Sequence, residues 1–272
     1  MALYVVFIQI MHTCVKFIPH IPPEIIFFRS VIPLMLCLYG LSKLQINHWG
    51  NNKVLLISRG IFGGTSLLLI FYLLQKIPFA TVTTFRYLGP IFSLFFGILW
   101  LNEKLKTSQW IYMAIALLGA VLVKGFNGQI NMIDFMTGII MAISAGLVTV
   151  IIKKMKGLEH PLVIIFYFPL VLLPISGTYS YFYWVQPVGL DWLILLVIGI
   201  LTQLAQYYLT VSIHSGALSK VVPIQYSGII ISIVFGYFIF DESLGYLSLV
   251  GIFLVVSSLT LNNWENIKSS VK

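Results

Sequence analysis

The sequence predicts an all-α, polytopic membrane protein of ten transmembrane helices arranged as two inverted five-helix repeats. Three observations carry this. The 272 residues are 59% hydrophobic and 9% charged, with a mean hydropathy of +0.99. A soluble protein carries roughly 25% charged residues, so this chain cannot cover a water-facing surface and belongs in lipid. Its apolar stretches come in runs of about 20 residues, the length that crosses a bilayer as a helix. Finally, Tyr87-Leu88-Gly89-Pro90-Ile91-Phe92-Ser93 runs on through Gly97 to Leu101-Asn102-Glu103-Lys104-Leu105. A similar stretch, Tyr226-Ser227-Gly228-Ile229-Ile230-Ile231-Ser232, runs on through Gly236 to Phe240-Asp241-Glu242-Ser243-Leu244, offset by a constant 139 residues.

The spans are expected at about 2–18, 23–41, 53–75, 79–101, 108–124, 133–152, 161–183, 190–212, 217–240 and 243–261. The first run has neither a basic leader nor a small-residue cleavage site, so it reads as a span and not as a signal peptide. Short loops make neighbouring helices antiparallel. Lysine placement sets the orientation. With the N-terminus inside, the inner loops and tail hold Lys43, Lys53, Lys104, Lys106, Lys153, Lys154, Lys156, Lys268 and Lys272. The outer loops hold only Lys76 and Lys124, with Lys16 closing the first span. Positive charge favours the cytoplasmic side, so both termini are placed in the cytoplasm, in a plasma or inner membrane. Trp49, Trp100, Trp110, Trp184, Trp192 and Trp264 all fall at span ends, where amphipathic rings settle.

The repeat divides the chain at residues 1–126 and 127–272. Five spans per repeat is an odd number, so the second copy enters the bilayer upside down. Inverted repeats supply two states that exchange the roles of the halves, the basis of alternating access. The formal charge of +8 is assigned to topology and not to nucleic acid, because no polar face exists on which to cluster it. Cys14 and Cys37 lie in apolar stretches and read as small core residues, not as a disulfide framework.

The short-looped spans, the five-plus-five repeat and the Pro/Gly-rich fourth span ending in Leu101-Asn102-Glu103-Lys104-Leu105 resemble the EamA family of the drug/metabolite transporter superfamily. Arg29 after Pro23-Glu24, and Ser58-Arg59-Gly60 in the third span, are similar to features of the same family. The resemblance covers essentially the whole chain. It implies a ten-helix carrier with cytoplasmic termini and a central cavity. It also implies small metabolites or drugs as cargo, without choosing among amino acids, nucleotide-like metabolites, organic anions and drugs.

An ionisable group inside the bilayer costs about 3 kcal/mol or more and so points to function. Arg29, Arg59 and Arg86 lie several residues into the second, third and fourth spans, and Lys220 lies near the start of the ninth. Snorkelling to the headgroups is the competing reading for each. Arg86 ranks first, because Thr83, Arg86, Pro90 and Ser93 form one polar or small stripe beside a Gly-Pro break. Gln9, His12, Thr13 and Lys16 align on the first span, and Gln203, Gln206, Tyr207 and Thr210 align on the eighth. Such faces are expected to point inward, towards substrate or a neighbouring helix. Gln225, Gly228 and Ser232, with Tyr226 adjacent, form a weaker stripe on the ninth span. Gly60 and Gly64, and Ala142 and Gly146, read as helix-packing seams.

No Asp or Glu lies deep within a predicted span. A carrier of lipophilic cations would present a buried carboxylate, whereas this chain presents buried cations. An anionic or zwitterionic small molecule would complete such a site, and Arg suits carboxylate or phosphate. The expected substrate-binding set is therefore Arg86, Arg29, Arg59, Gln9, His12, Lys16, Gln203, Gln206, Tyr207, Gln225 and Tyr226. The expected partners are this substrate and the lipid bilayer, with no cofactor or metal and no nucleic acid. The runner-up is a broad exporter of neutral or cationic drugs. A membrane-embedded enzyme is disfavoured by the lack of HExxH, GxSxG, Walker and dinucleotide signatures. A non-transporting receptor is disfavoured by the lack of long loops. No sequence feature assigns an oligomeric state, a direction of transport or a coupling ion.

Overall fold

The computed structural model describes residues 1–18, 23–76, 79–103, 106–124, 131–240 and 246–270. The described residues fold into helices α1 (Ala2–Phe17), α2 (Pro23–Lys43), α3 (Lys53–Lys76), α4 (Phe79–Leu101), α5 (Thr107–Lys124), α6 (Met132–Lys154), α7 (Pro161–Tyr183), α8 (Asp191–Ser215), α9 (Leu218–Val221), α10 (Ser227–Phe240) and α11 (Tyr246–Ser270). A 3-10 turn, Val222–Tyr226, joins α9 to α10. Chains in lipid take this form because a helix satisfies its own backbone donors and acceptors. Every predicted span but the ninth overlaps one helix among the described residues. Among the described residues, five helical stretches have the length and hydropathy to cross a membrane: Glu24–Lys43, Lys53–Leu73, Met132–Lys154, Pro161–Tyr183 and Asp191–Ser215.

The ninth segment departs from the expected single helix. Pro223 sits in its first turns and cannot donate an i→i−4 bond, so the chain tightens into the 3-10 turn before α10 begins. The tenth runs on past its expected end, to Ser270.

Helix boundaries carry the repeat more sharply than the sequence does. Lys76 and Ser215, Phe79 and Leu218, Leu101 and Phe240, and Thr107 and Tyr246 are each a start or an end of matching elements 139 residues apart. Acidic side chains sit in the first turns of α2, α6 and α8 (Glu24, Asp134 and Asp191), and lysines close α2, α3 and α6. Both choices complement the helix dipole.

The chain forms two compact units, and neither is a sequence half. One comprises Met1–Ala2, Thr65–Val150 and Ser215–Lys272; the other comprises Leu3–Gly64 and Ile151–His214. In the first unit α5 packs along α11, its own counterpart in the repeat. Leu73, Val82, Phe85 and Met141 form a buried cluster there. The Gly146 backbone approaches α4 so closely that a Cβ would meet Phe92 Cβ at 2.6 Å, so this seam admits only glycine.

In the second unit α2 packs along α7, again counterpart against counterpart. A Cβ on Gly60 would lie 2.7 Å from the Tyr167 carbonyl, and one on Gly199 would lie 2.5 Å from Ile32 Cδ1. Water-driven burial is weak between helices in lipid, so this close packing is what holds them.

Candidate functional site

The second unit builds its polar centre around Arg59 of α3. This residue is 1% exposed, so its guanidinium is not carried to a headgroup. Nη2 donates to Oε1 of Gln206 on α8 at 2.7 Å. The Phe168 ring of α7 lies under the guanidinium, 4.7 Å from Cζ to centroid, a stacking geometry that suits a weakly hydrated planar cation. Gly63, one turn on, makes room for it. A Cβ there would come within 2.5 Å of Nη1. Nε is buried with no hydrogen-bond partner.

One turn from Gln206 on α8, Gln203 is also buried. Its Nε2 donates to Cys37 Sγ of α2 at 3.1 Å, and the thiol lies 3.5 Å from its Oε1. Thr202, four residues before Gln206 and on the same helix face, is fully buried, and its Oγ1 has no partner. Thr210 closes the stripe by donating to the Gln206 carbonyl at 2.9 Å. Helices α3 and α8 thus bring a cation and two carboxamides together, with Cys37 of α2 and Phe168 of α7 packed against them.

The other predicted residues of this unit are distributed around that centre. Arg29 is buried on α2. Gln9 and His12 are half-buried on α1 and touch each other, Oε1 to Nδ1 at 3.4 Å. Lys16 lies in the last turn of α1, and its side chain is outside the described residues. Tyr207 is exposed, its ring edge-on to Tyr208, which stacks on Phe7. In the first unit, Arg86 is half-buried on α4 and Gln225 is half-buried in the 3-10 turn. These two are repeat counterparts. Tyr226 is fully buried; its ring stacks on Tyr87 at 5.6 Å and its hydroxyl donates to the Tyr87 carbonyl at 2.8 Å. Thr83 of the proposed stripe has a side chain outside the described residues.

Glu24, Glu159 and Glu103 each accept hydrogen bonds from backbone N–H groups. Glu24 accepts from Val185 N–H, and Glu159 from Asn51 and Asn52 N–H at 2.6 Å each. Glu24 opens α2 and holds the loop after α7, while Glu159 precedes α7 and holds the loop after α2. Each acid therefore fastens the partner hairpin through backbone donors. In the first unit Asn102 takes a φ of 53°, a left-handed turn that Asn tolerates. That turn aims Glu103 at the start of α9, where both oxygens accept from Leu218 N–H, at 3.1 and 2.9 Å. The Arg59 guanidinium is held, among the described residues, by the neutral groups of Gln206 and Phe168. Among the described residues, no group of three His, Cys, Asp or Glu could hold a metal.

Cys37, Phe168 and Thr202 were not on the expected list, because each reads in sequence as an ordinary apolar-helix residue. Only the packing of α2, α3, α7 and α8 reveals their neighbours.

The profile of the EamA-like transporter family matches residues 1–125 and again 132–264. The chain belongs to that family. It is an integral membrane protein of the class that moves small metabolites. Similar proteins include a pseudopaline exporter of Pseudomonas aeruginosa, 26% identical over 88% of this chain and 85% of that one. An uncharacterized transporter of Helicobacter pylori is 28% identical over 87% and 83%. An S-adenosylmethionine uptake transporter of Rickettsia conorii is 26% identical over 79% and 72%. A solved crystal structure matches with a TM-score of 0.83 at 15% identity, covering 94% of this chain and 92% of that one. That likeness speaks to the fold.

Proposed function

We propose that this EamA member is a secondary carrier whose substrate bears an acidic group, moved by alternating access between two inverted five-helix repeats. The observation that carries the reading is Arg59: a buried guanidinium with a vacant Nε and no carboxylate among its partners. A buried charge left uncompensated is unfavourable, and a substrate carboxylate would remove that penalty. Ten spans with both termini in the cytoplasm fit the lysine distribution and the helix correspondences at 139 residues. Residues 1–126 and 127–272 are then the repeats, and Arg86 and Gln225 form a second, counterpart pair of polar positions. Relatives named for export and for uptake support small-metabolite transport without fixing its direction.

The test is flux in proteoliposomes. S-adenosylmethionine, amino acids and organic acids are competed against decarboxylated or amidated analogues. Acidic forms should compete at least tenfold better than the analogues. Arg59→Gln and Arg86→Gln are then assayed at equal folded amounts, and Arg59→Gln should abolish the preference. Equal competition by lipophilic cations would favour the drug-exporter reading instead.

A further inference from the structure

We infer that Gln206 is a specificity-determining residue whose amide oxygen holds the place of a substrate carboxylate oxygen on Arg59. This deepens the anionic-substrate reading and rests on it. A guanidinium presents Nε–H and one Nη–H as a parallel fork that a carboxylate takes with two oxygens. In this fork one nitrogen, Nε, has no partner, and Nη2 holds the neutral Oε1 of Gln206 at 2.7 Å. Elsewhere the cation is enclosed: Phe168 covers a face at 4.7 Å and the Gly63 backbone adjoins Nη1. A half-filled fork with one face and Nη1 covered leaves an edge suited to one flat, two-oxygen group.

A carboxamide oxygen matches a carboxylate oxygen in shape but carries less charge. Gln206 can satisfy Nη2 in the empty protein and yield it to a carboxylate, which makes the stronger, charge-assisted bond. A glutamate at this position would hold the fork permanently. The unpartnered hydroxyl of Thr202, one turn along the same face, is a further donor available when the site opens. The ligand class is a substrate with a carboxylate, in preference to a phosphate, whose tetrahedral oxygens fit a planar, one-edged slot less well.

The experiment compares wild type, Gln206→Glu, Gln206→Ala and Arg59→Gln in detergent and in proteoliposomes. The probes are acetate, glutamate, citrate and adenosine monophosphate. Gln206→Glu should raise the melting temperature of the probe-free protein and weaken carboxylate binding at least tenfold. Gln206→Ala should keep carboxylate binding within threefold of wild type or tighten it. Carboxylates should stabilise wild type more than the phosphate does. Wild-type-like binding by Gln206→Glu would overturn the inference, and so would equal loss in Gln206→Glu and Gln206→Ala. If wild type responds to carboxylates and Arg59→Gln does too, the site is wrong while the substrate class stands. If wild type responds to no acid, the substrate class itself fails, and this inference with it.

Discussion

The Tyr226 hydroxyl donates to the backbone carbonyl of Tyr87 at 2.8 Å, and the two rings stack at 5.6 Å. These residues are counterparts in the repeat, 139 positions apart, so each half of the chain meets its own copy at this point. In the first unit, α5 and α11 meet in the same way.

Tyr226→Phe keeps the stack and removes the hydroxyl. The variant should fold and lose about 0.5–1.5 kcal/mol, the usual net worth of one hydrogen bond. Tyr226→Ala empties a fully buried site and should lose about 3–5 kcal/mol. Thermal unfolding followed by size-exclusion chromatography reads both. Equal losses would show that the stack contributes nothing.

Gly63→Ala and Gly60→Ala should fail differently. At Gly63 the new methyl would lie 2.5 Å from Arg59 Nη1 and 2.9 Å from Phe168 Cδ2, both movable side-chain atoms. The protein should fold with substrate affinity reduced at least tenfold. At Gly60 the methyl would meet the Tyr167 carbonyl at 2.7 Å, which cannot move cheaply. There the main effect should be lost stability, about 1–3 kcal/mol for overpacking. Comparing melting temperature with substrate affinity separates the two.

Glu103→Ala removes the acceptor of Leu218 N–H and should cost about 1–3 kcal/mol. Glu103→Gln keeps one oxygen and should fall between wild type and Ala. The same melting assay ranks them, and a neutral Ala variant would show that the contact is not needed for folding.

Glu265 accepts a hydrogen bond from Ser108 at 2.7 Å and lies 3.6 Å from Lys106 Nζ. The Ser108 bond, with lesser help from Lys106, holds its carboxyl below the ordinary value of 4.5. A depressed folded-state pKa stabilises the protein above the unfolded value, and this is lost as pH falls through the folded one. Melting temperature should therefore respond alike in wild type and Glu265→Gln above pH 4.5, and fall more steeply in wild type as pH is lowered below 4.5. Identical slopes would remove Glu265 from the acid response.

Much of the architecture was legible because lipid leaves little choice of backbone. Apolar run length located the helices, and the Gly60 and Gly146 seams were readable as small residues at helical spacing. The break at Val222–Tyr226 was missed because a single proline near a helix start is compatible with helix as well as with a turn. The site was only partly legible. Ranking Arg86 above Arg59 relied on its neighbours along one helix, whereas the built surroundings of Arg59 come from α7 and α8. Phe168 and Cys37 carry no polar signature of their own. The Asn102-Glu103 pair announced a repeat, but only the left-handed turn at Asn102 explains why an acid must follow it.

Glu24 and Glu159 bond to peptide N–H groups, while Arg59 bonds to the neutral amide of Gln206. In the proposed carrier the vacant form and the form loaded with a monoanion then differ by one elementary charge at the moving site. A membrane voltage acts differently on the two steps, by up to about 2.3 kcal/mol per 100 mV if the site crosses the whole field. Counterflow of one monoanion against another is then electrically silent, whereas a cycle with an empty return carries net charge.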